Sequence, residues 1–144
     1  GEHGDTSFIP WSGAYVSGVS LDEYYETVEK MGRNVTKIDK DAMLEYVRTS
    51  GGQVIANKGA TFYAVSVAVC KLVATILSSS DSVATVSSMM HGEYGIEDVC
   101  LSTLTLVGPK GVQGKIPMRM TKEEVENLKA SADALKAVIA QIEH

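Results

Sequence analysis

Val99-Cys100-Leu101-Ser102-Thr103-Leu104-Thr105-Leu106-Val107, closed by Gly108-Pro109-Lys110-Gly111, is the stretch that decides the fold. Its β-branched and aliphatic residues read as a strand, and the Gly-Pro-Lys-Gly run reads as a turn into a third strand near Val112 to Ile116. Another strand is predicted upstream at Val83 to Met89. Connections this short leave no room for a crossover helix, so the sheet is expected to be antiparallel.

Helices flank this sheet on both sides in sequence. Downstream, Thr121-Lys122-Glu123-Glu124 has the spacing of a capping box, in which side chains and backbone N–H groups at a helix start satisfy each other. Val125, Leu128, Ala132, Leu135, Ile139 and Ile142 then form one apolar stripe at three- and four-residue steps. Upstream, Phe8 to Val19 reads as extended with bends, and Ser20-Leu21-Asp22-Glu23 is a second capping box that starts a helix to about Met31. Asp39 or a neighbour is expected to cap the next helix, with Ala42, Met43, Tyr46, Val47 and Ser50 on one face and a break or kink at Gly51-Gly52. Thr61 to Leu77 is apolar all round, interrupted by Lys71, and is expected to be a central buried helix. It is too short for the roughly 20 residues that span a bilayer, so no membrane partner is expected. The fold class is α+β, antiparallel strands packed with helices.

At 144 residues and 44% hydrophobic, the chain is long enough for one core. The formal net charge of −5 and the lack of a basic run argue against nucleic acid, whose binding depends on clustered Lys and Arg. Cys70 and Cys100 are too few for a disulfide framework, Cys70 is expected to be a buried thiol, and a cytoplasmic setting follows. No signal peptide is read at the start. Neither His91 nor His144 has a spacing to His3 that suggests zinc, and no Cys-x-x-Cys pair occurs, so no metal site is expected.

The chemistry-bearing stretch is Gly1-Glu2-His3-Gly4-Asp5. Histidine takes and gives a proton near neutrality, and flanking glycines let a ligand come close to the main chain. Continued through Thr6-Ser7-Phe8-Ile9-Pro10-Trp11-Ser12-Gly13, this run resembles the active-site histidine segment of the lactate and malate dehydrogenase family, most closely its bacterial L-lactate dehydrogenases. Lys58-Gly59-Ala60-Thr61-Phe62-Tyr63 is similar to a second, substrate-side motif of that family. Gly92-Glu93-Tyr94-Gly95-Ile96-Glu97-Asp98-Val99 is similar to its loop between two late strands.

The resemblance implies hydride exchange between an L-2-hydroxy acid and NAD, with pyruvate and L-lactate as the pair and His3 as proton donor and acceptor. It implies that Thr61 lies beside the substrate and favours lactate over malate dehydrogenase. By the same comparison Val65 forms an apolar wall against the nicotinamide, and Gly51 lies near the substrate side chain, where small residues suit longer acids such as that of 2-hydroxyisocaproate dehydrogenase. Thr61 read alone is a helix N-cap and Val65 alone is core; Asp5 reads as a local backbone cap.

No Gly-x-Gly-x-x-Gly run follows a strand pattern, so the nucleotide-binding Rossmann half is absent from these residues. The resemblance also implies an arginine that anchors the substrate carboxylate and an aspartate that orients the histidine, neither within this stretch. Residues 1–144 are therefore expected to be the C-terminal substrate-binding domain of a larger enzyme, opening on Gly1 inside the motif and completed by an N-terminal half. Alone it is expected to fold at least partly and to be inactive. Its terminal stripe and β-rich middle suit subunit contacts, so a homo-oligomer is expected, and a non-catalytic assembly module is the competing view of the isolated chain.

Overall fold

The computed structural model describes residues 1–142. After a 3-10 turn at Trp11–Gly13, a hairpin of β1 (Tyr15–Val16) and β2 (Val19–Ser20) turns at Ser17-Gly18, both at positive φ. This is the backbone that a two-residue primed turn requires. Three helices follow: α1 (Leu21–Lys30), α2 (Lys40–Lys58) and α3 (Tyr63–Leu77). A three-stranded antiparallel sheet in the order β3 (Ser82–His91), β4 (Glu97–Gly108), β5 (Gly111–Lys115) precedes the terminal helix α4 (Lys122–Ile142).

The predicted antiparallel sheet is present. Ser82 pairs with Val107 and Met89 with Cys100. Gly108 pairs with Gly111 across Pro109-Lys110, the expected turn. Both capping boxes form: Ser20 Oγ accepts from the Glu23 N–H at 3.4 Å, and Thr121 Oγ1 accepts from the Glu124 N–H at 3.1 Å. In return Glu124 Oε2 accepts from the Thr121 N–H at 2.8 Å. Asp39 caps α2 by accepting from the Ala42 N–H at 3.0 Å.

One core lies between β4 and the first half of α4. Met90, Ile96, Val99, Leu101, Leu128 and Ala132 are buried there, with Phe8, Tyr94, Met120 and Leu135 packed against them. Tyr94 reaches this place from a left-handed backbone (φ 58), and its hydroxyl accepts the Met118 N–H at 2.7 Å, tying the β3–β4 connection to the approach to α4.

Four expectations need correction. Helix α2 runs unbroken through Gly51-Gly52, because two helical glycines cost only about 2 kcal/mol and the helix is capped at both ends, by Asp39 and by left-handed Gly59. Its face of Ala42, Met43, Tyr46 and Val47 is exposed, with Ser50 half-buried. Helix α3 is not buried: it has no buried residue, and Cys70 on it is exposed. An apolar helix needs a cover, and among the described residues the sheet strands β3 and β4 beside it cover it only in part. The stripe of α4 packs only in its first half, since Leu128 is buried while Ile139 and Ile142 are exposed.

No single described helix is long and apolar enough to cross a membrane; α2 and α3 together have the length and composition but meet at a 119° bend.

Candidate functional site

His3 sits in a loop fastened at three points. Gly1 exchanges two hydrogen bonds with Ser102 of β4, donating to its carbonyl at 3.0 Å and accepting from its N–H at 2.9 Å. Glu2 folds back so that its Oε1 accepts from the Thr6 N–H at 2.9 Å and from the Thr6 hydroxyl. These bonds hold the Glu2 carboxyl below the usual carboxylate range. The loop turns within itself, Ser7 N–H to Gly4 carbonyl at 3.0 Å. The carboxylate that caps it is thus Glu2, not Asp5 as expected, because Glu2 has the reach to close a four-residue ring onto Thr6.

The third fastening comes from the helices. Arg48 of α2 donates through Nε and Nη2 to the Ser7 carbonyl at 3.0 and 2.5 Å. Ser131 of α4 donates to the Thr6 carbonyl at 2.9 Å and lies 3.0 Å from Thr6 Oγ1. Farther along, Ser12 donates its N–H to Glu124 Oε1 at 3.0 Å and its hydroxyl to Oε2 at 2.5 Å, which joins the turn at Trp11–Gly13 to the α4 capping box. Burial pushes the Glu124 carboxyl up, but the bonds from Ser12 and Thr121 outweigh it and leave it below its ordinary range.

Gly1, Glu2 and His3 border two recesses. One, of about 320 Å³, is also lined by Phe8, Tyr94, Thr103 and Met118. The other, of about 430 Å³, opens toward Met89, Cys100, Leu135 and Ile139. The histidine therefore has space beside it and a fixed backbone beneath it. That arrangement suits a general acid–base group, which works only when held in reach of the atom it protonates.

The other sequence-derived residues stand elsewhere. Thr61, Gly51 and Val65 line neither recess. Thr61 lies in the bend between α2 and α3, where Lys58 Nζ sits 3.8 Å from the Phe62 ring centroid and 3.9 Å from that of Tyr63. The N-cap of α3 is Phe62, so the capping role for Thr61 does not hold and its hydroxyl is exposed. Val65, expected as core on the plain reading, is 55% exposed in the first turn of α3. Gly51 is exposed inside α2. Among the described residues no three His, Cys, Asp or Glu side chains gather as a metal site, and His144 lies outside those residues.

Sequence reasoning missed Arg48 and Ser131. Ser131 had a signal: it falls three residues after Leu128 and four before Leu135, a polar residue on an apolar stripe.

Residues 1–144 match the family described as lactate/malate dehydrogenase, alpha/beta C-terminal domain. The L-lactate dehydrogenase of Acetivibrio thermocellus is 36% identical over 143 residues, which cover 99% of this chain and 44% of that protein. The structure of a minor L-lactate dehydrogenase from Enterococcus mundtii, ligands bound, superposes with a TM-score of 0.88 at 30% identity over 99% of this chain and 44% of that one. A malate dehydrogenase from Archaeoglobus fulgidus in complex with NADH gives 0.81 at 27% identity, over 100% and 42%. The chain thus spans less than half the length of these relatives. It belongs to the lactate/malate dehydrogenase family, as that family's alpha/beta C-terminal domain.

Proposed function

We propose that this chain is the substrate-binding, histidine-bearing part of an NAD-dependent L-lactate dehydrogenase that interconverts pyruvate and L-lactate. The observation that carries the proposal is His3 itself, set on a loop fastened to β4, α2 and α4 and bordered by open space. In oxidation, neutral His3 accepts the proton of the C2 hydroxyl. In reduction, protonated His3 donates to the keto oxygen and polarises it on the way.

The nicotinamide cofactor, when bound, takes or supplies the hydride. Val65 fits one part of it: an exposed apolar side chain is a suitable wall for a flat ring. These 144 residues carry no glycine-rich phosphate loop, so its phosphates fall to an N-terminal half. Thr61, although it lines neither recess beside His3, is assigned to the substrate on the resemblance of Lys58–Tyr63 to the family's substrate-side motif, and there it narrows the space for a second carboxylate, which favours pyruvate over oxaloacetate. Gly51 borders the substrate side chain.

Assembly accompanies this function. Helix α3 presents Val65, Val69, Val73 and Leu77 uncovered, and α4 presents Val138 and Ile142. Apolar area of this extent is covered in a working protein, here by the N-terminal half and by further copies in a homo-oligomer. The chemistry and the free thiols Cys70 and Cys100 suit a reducing, cytoplasmic setting.

Steady-state kinetics of full-length His3→Ala test the proposal. The expected kcat is at least about a hundredfold below wild type with NADH affinity kept. Wild-type turnover would remove His3 from the mechanism, and a higher kcat/KM for oxaloacetate than for pyruvate would move the assignment to malate.

A further inference from the structure

Ser131 is fully buried in the middle of α4, with its side chain turned onto the His3 loop rather than into the apolar core. Its contacts have a direction. Thr6 donates its hydroxyl to Glu2 Oε1, and an ionised carboxylate only accepts, so the Thr6 proton is committed to Glu2. Ser131 must then be the donor toward Thr6: its single proton goes to the Thr6 carbonyl at 2.9 Å, and its oxygen lies 3.0 Å from Thr6 Oγ1. The series runs Ser131 to Thr6 to Glu2, and His3 is the residue after Glu2.

Gly1 closes the same arrangement from the other side. A Cβ at Gly1 would lie 2.5 Å from Ser131 Oγ and 3.0 Å from its Cβ, so the loop backbone rests directly on the serine. His3 is thus bracketed by two residues, Gly1 and Thr6, that both touch Ser131.

We propose that Ser131 is a positioning residue for His3: through the Ser131–Thr6–Glu2 latch, α4 fixes the loop so that the imidazole meets the reacting oxygen of the substrate. This rests on the assignment of His3 as the proton partner. A serine that served stability alone would touch whatever surface lay nearest; this one bonds only the segment that carries the histidine.

The test is a kinetic cycle in the full-length enzyme with Ser131→Ala, Thr6→Val, Thr6→Ser, His3→Ala and the double variant His3→Ala/Ser131→Ala. Releasing the latch misplaces the histidine, so Ser131→Ala and Thr6→Val should each lower kcat by about tenfold to a hundredfold, since a displacement of about 1 Å can cost that much. NADH affinity, read by fluorescence titration, should not change. Thr6→Ser keeps the hydroxyl and should restore most of the rate. With His3 gone there is nothing left to position, so the double variant should be no slower than His3→Ala. Wild-type kcat in both Ser131→Ala and Thr6→Val would overturn the proposal, as would an undiminished Ser131→Ala effect in the His3→Ala background. Should Ser131→Ala fail to fold, Thr6→Val against Thr6→Ser decides, and equal rates for those two would also overturn it. If His3→Ala itself turns over like wild type, the fault lies in the assignment of His3. If His3→Ala is slow and the latch variants are not, only the positioning role falls.

Discussion

Replacing Gly51 by Ala separates what this residue does for the helix from the substrate role proposed for it. Gly51 and Gly52 lie inside the continuous helix α2, and a Cβ built at either meets no atom within 4 Å. Neither has positive φ. Alanine therefore fits without strain and removes the entropy that glycine loses on entering a helix, a gain of about 0.4 to 1 kcal/mol per site. Adjacent helix positions do not face each other, so the two gains should nearly add, giving about 1 to 2 kcal/mol for the double variant. For a domain of this size that raises the melting temperature by about 3 to 6 °C. Circular dichroism melts of wild type, Gly51→Ala and the double variant measure it.

The same Gly51→Ala enzyme should discriminate more strongly against long 2-keto acids, because an added methyl in an apolar pocket changes selectivity by about 10- to 200-fold. The readout is kcat/KM for pyruvate against a branched six-carbon keto acid. A fall in melting temperature would refute the stability argument, meaning that something packs on this face in the full-length protein. A raised melting temperature with unchanged selectivity would take Gly51 out of the substrate pocket.

Leu128→Ala removes a fully buried side chain from the centre of the core and should destabilise by about 2 to 5 kcal/mol in urea unfolding; a loss under about 1 kcal/mol would place the core elsewhere. Glu124 is held below its ordinary carboxylate range when folded, so its contribution is full above the unfolded value and is lost as pH falls through the folded one. Wild type should thus lose more stability than Glu124→Gln on acidification through the carboxylate range, measured as urea midpoints, and equal losses would deny the Ser12–Glu124 link a role. The 144-residue chain alone should fold at least partly, show no NADH-dependent reduction of pyruvate, and gain activity on mixing with a separately made N-terminal half; activity without mixing would contradict the incomplete-site argument.

What was legible in the sequence was local. The sheet could be read because strands with short turns between them can only run antiparallel, and the capping boxes at Ser20 and Thr121 because they close within four residues. Burial was not legible. The apolarity of Thr61 to Leu77 states that a helix needs a cover, but not which body supplies it, and among the described residues none does so fully. At Gly51-Gly52 the helix-breaking tendency of two residues is outweighed by the Asp39 cap, which the sequence indicates, together with the left-handed Gly59 at the other end, which it does not. His3 was found from its motif, whereas Ser131 and Arg48 stand 128 and 45 positions away from it in the chain, and such pairings exist only in three dimensions. Ser131 alone left a trace, as a hydroxyl on an apolar stripe.

The most direct measurement of the central claim is the pH dependence of kcat/KM in both directions for the full-length enzyme, beside His3→Gln. If His3 carries the proton, pyruvate reduction should weaken and lactate oxidation strengthen as pH rises, the two limbs mirroring each other. His3→Gln should be slow in both directions and lack both limbs. Mirror-image limbs that persist in His3→Gln would assign the proton to another group and contradict the account.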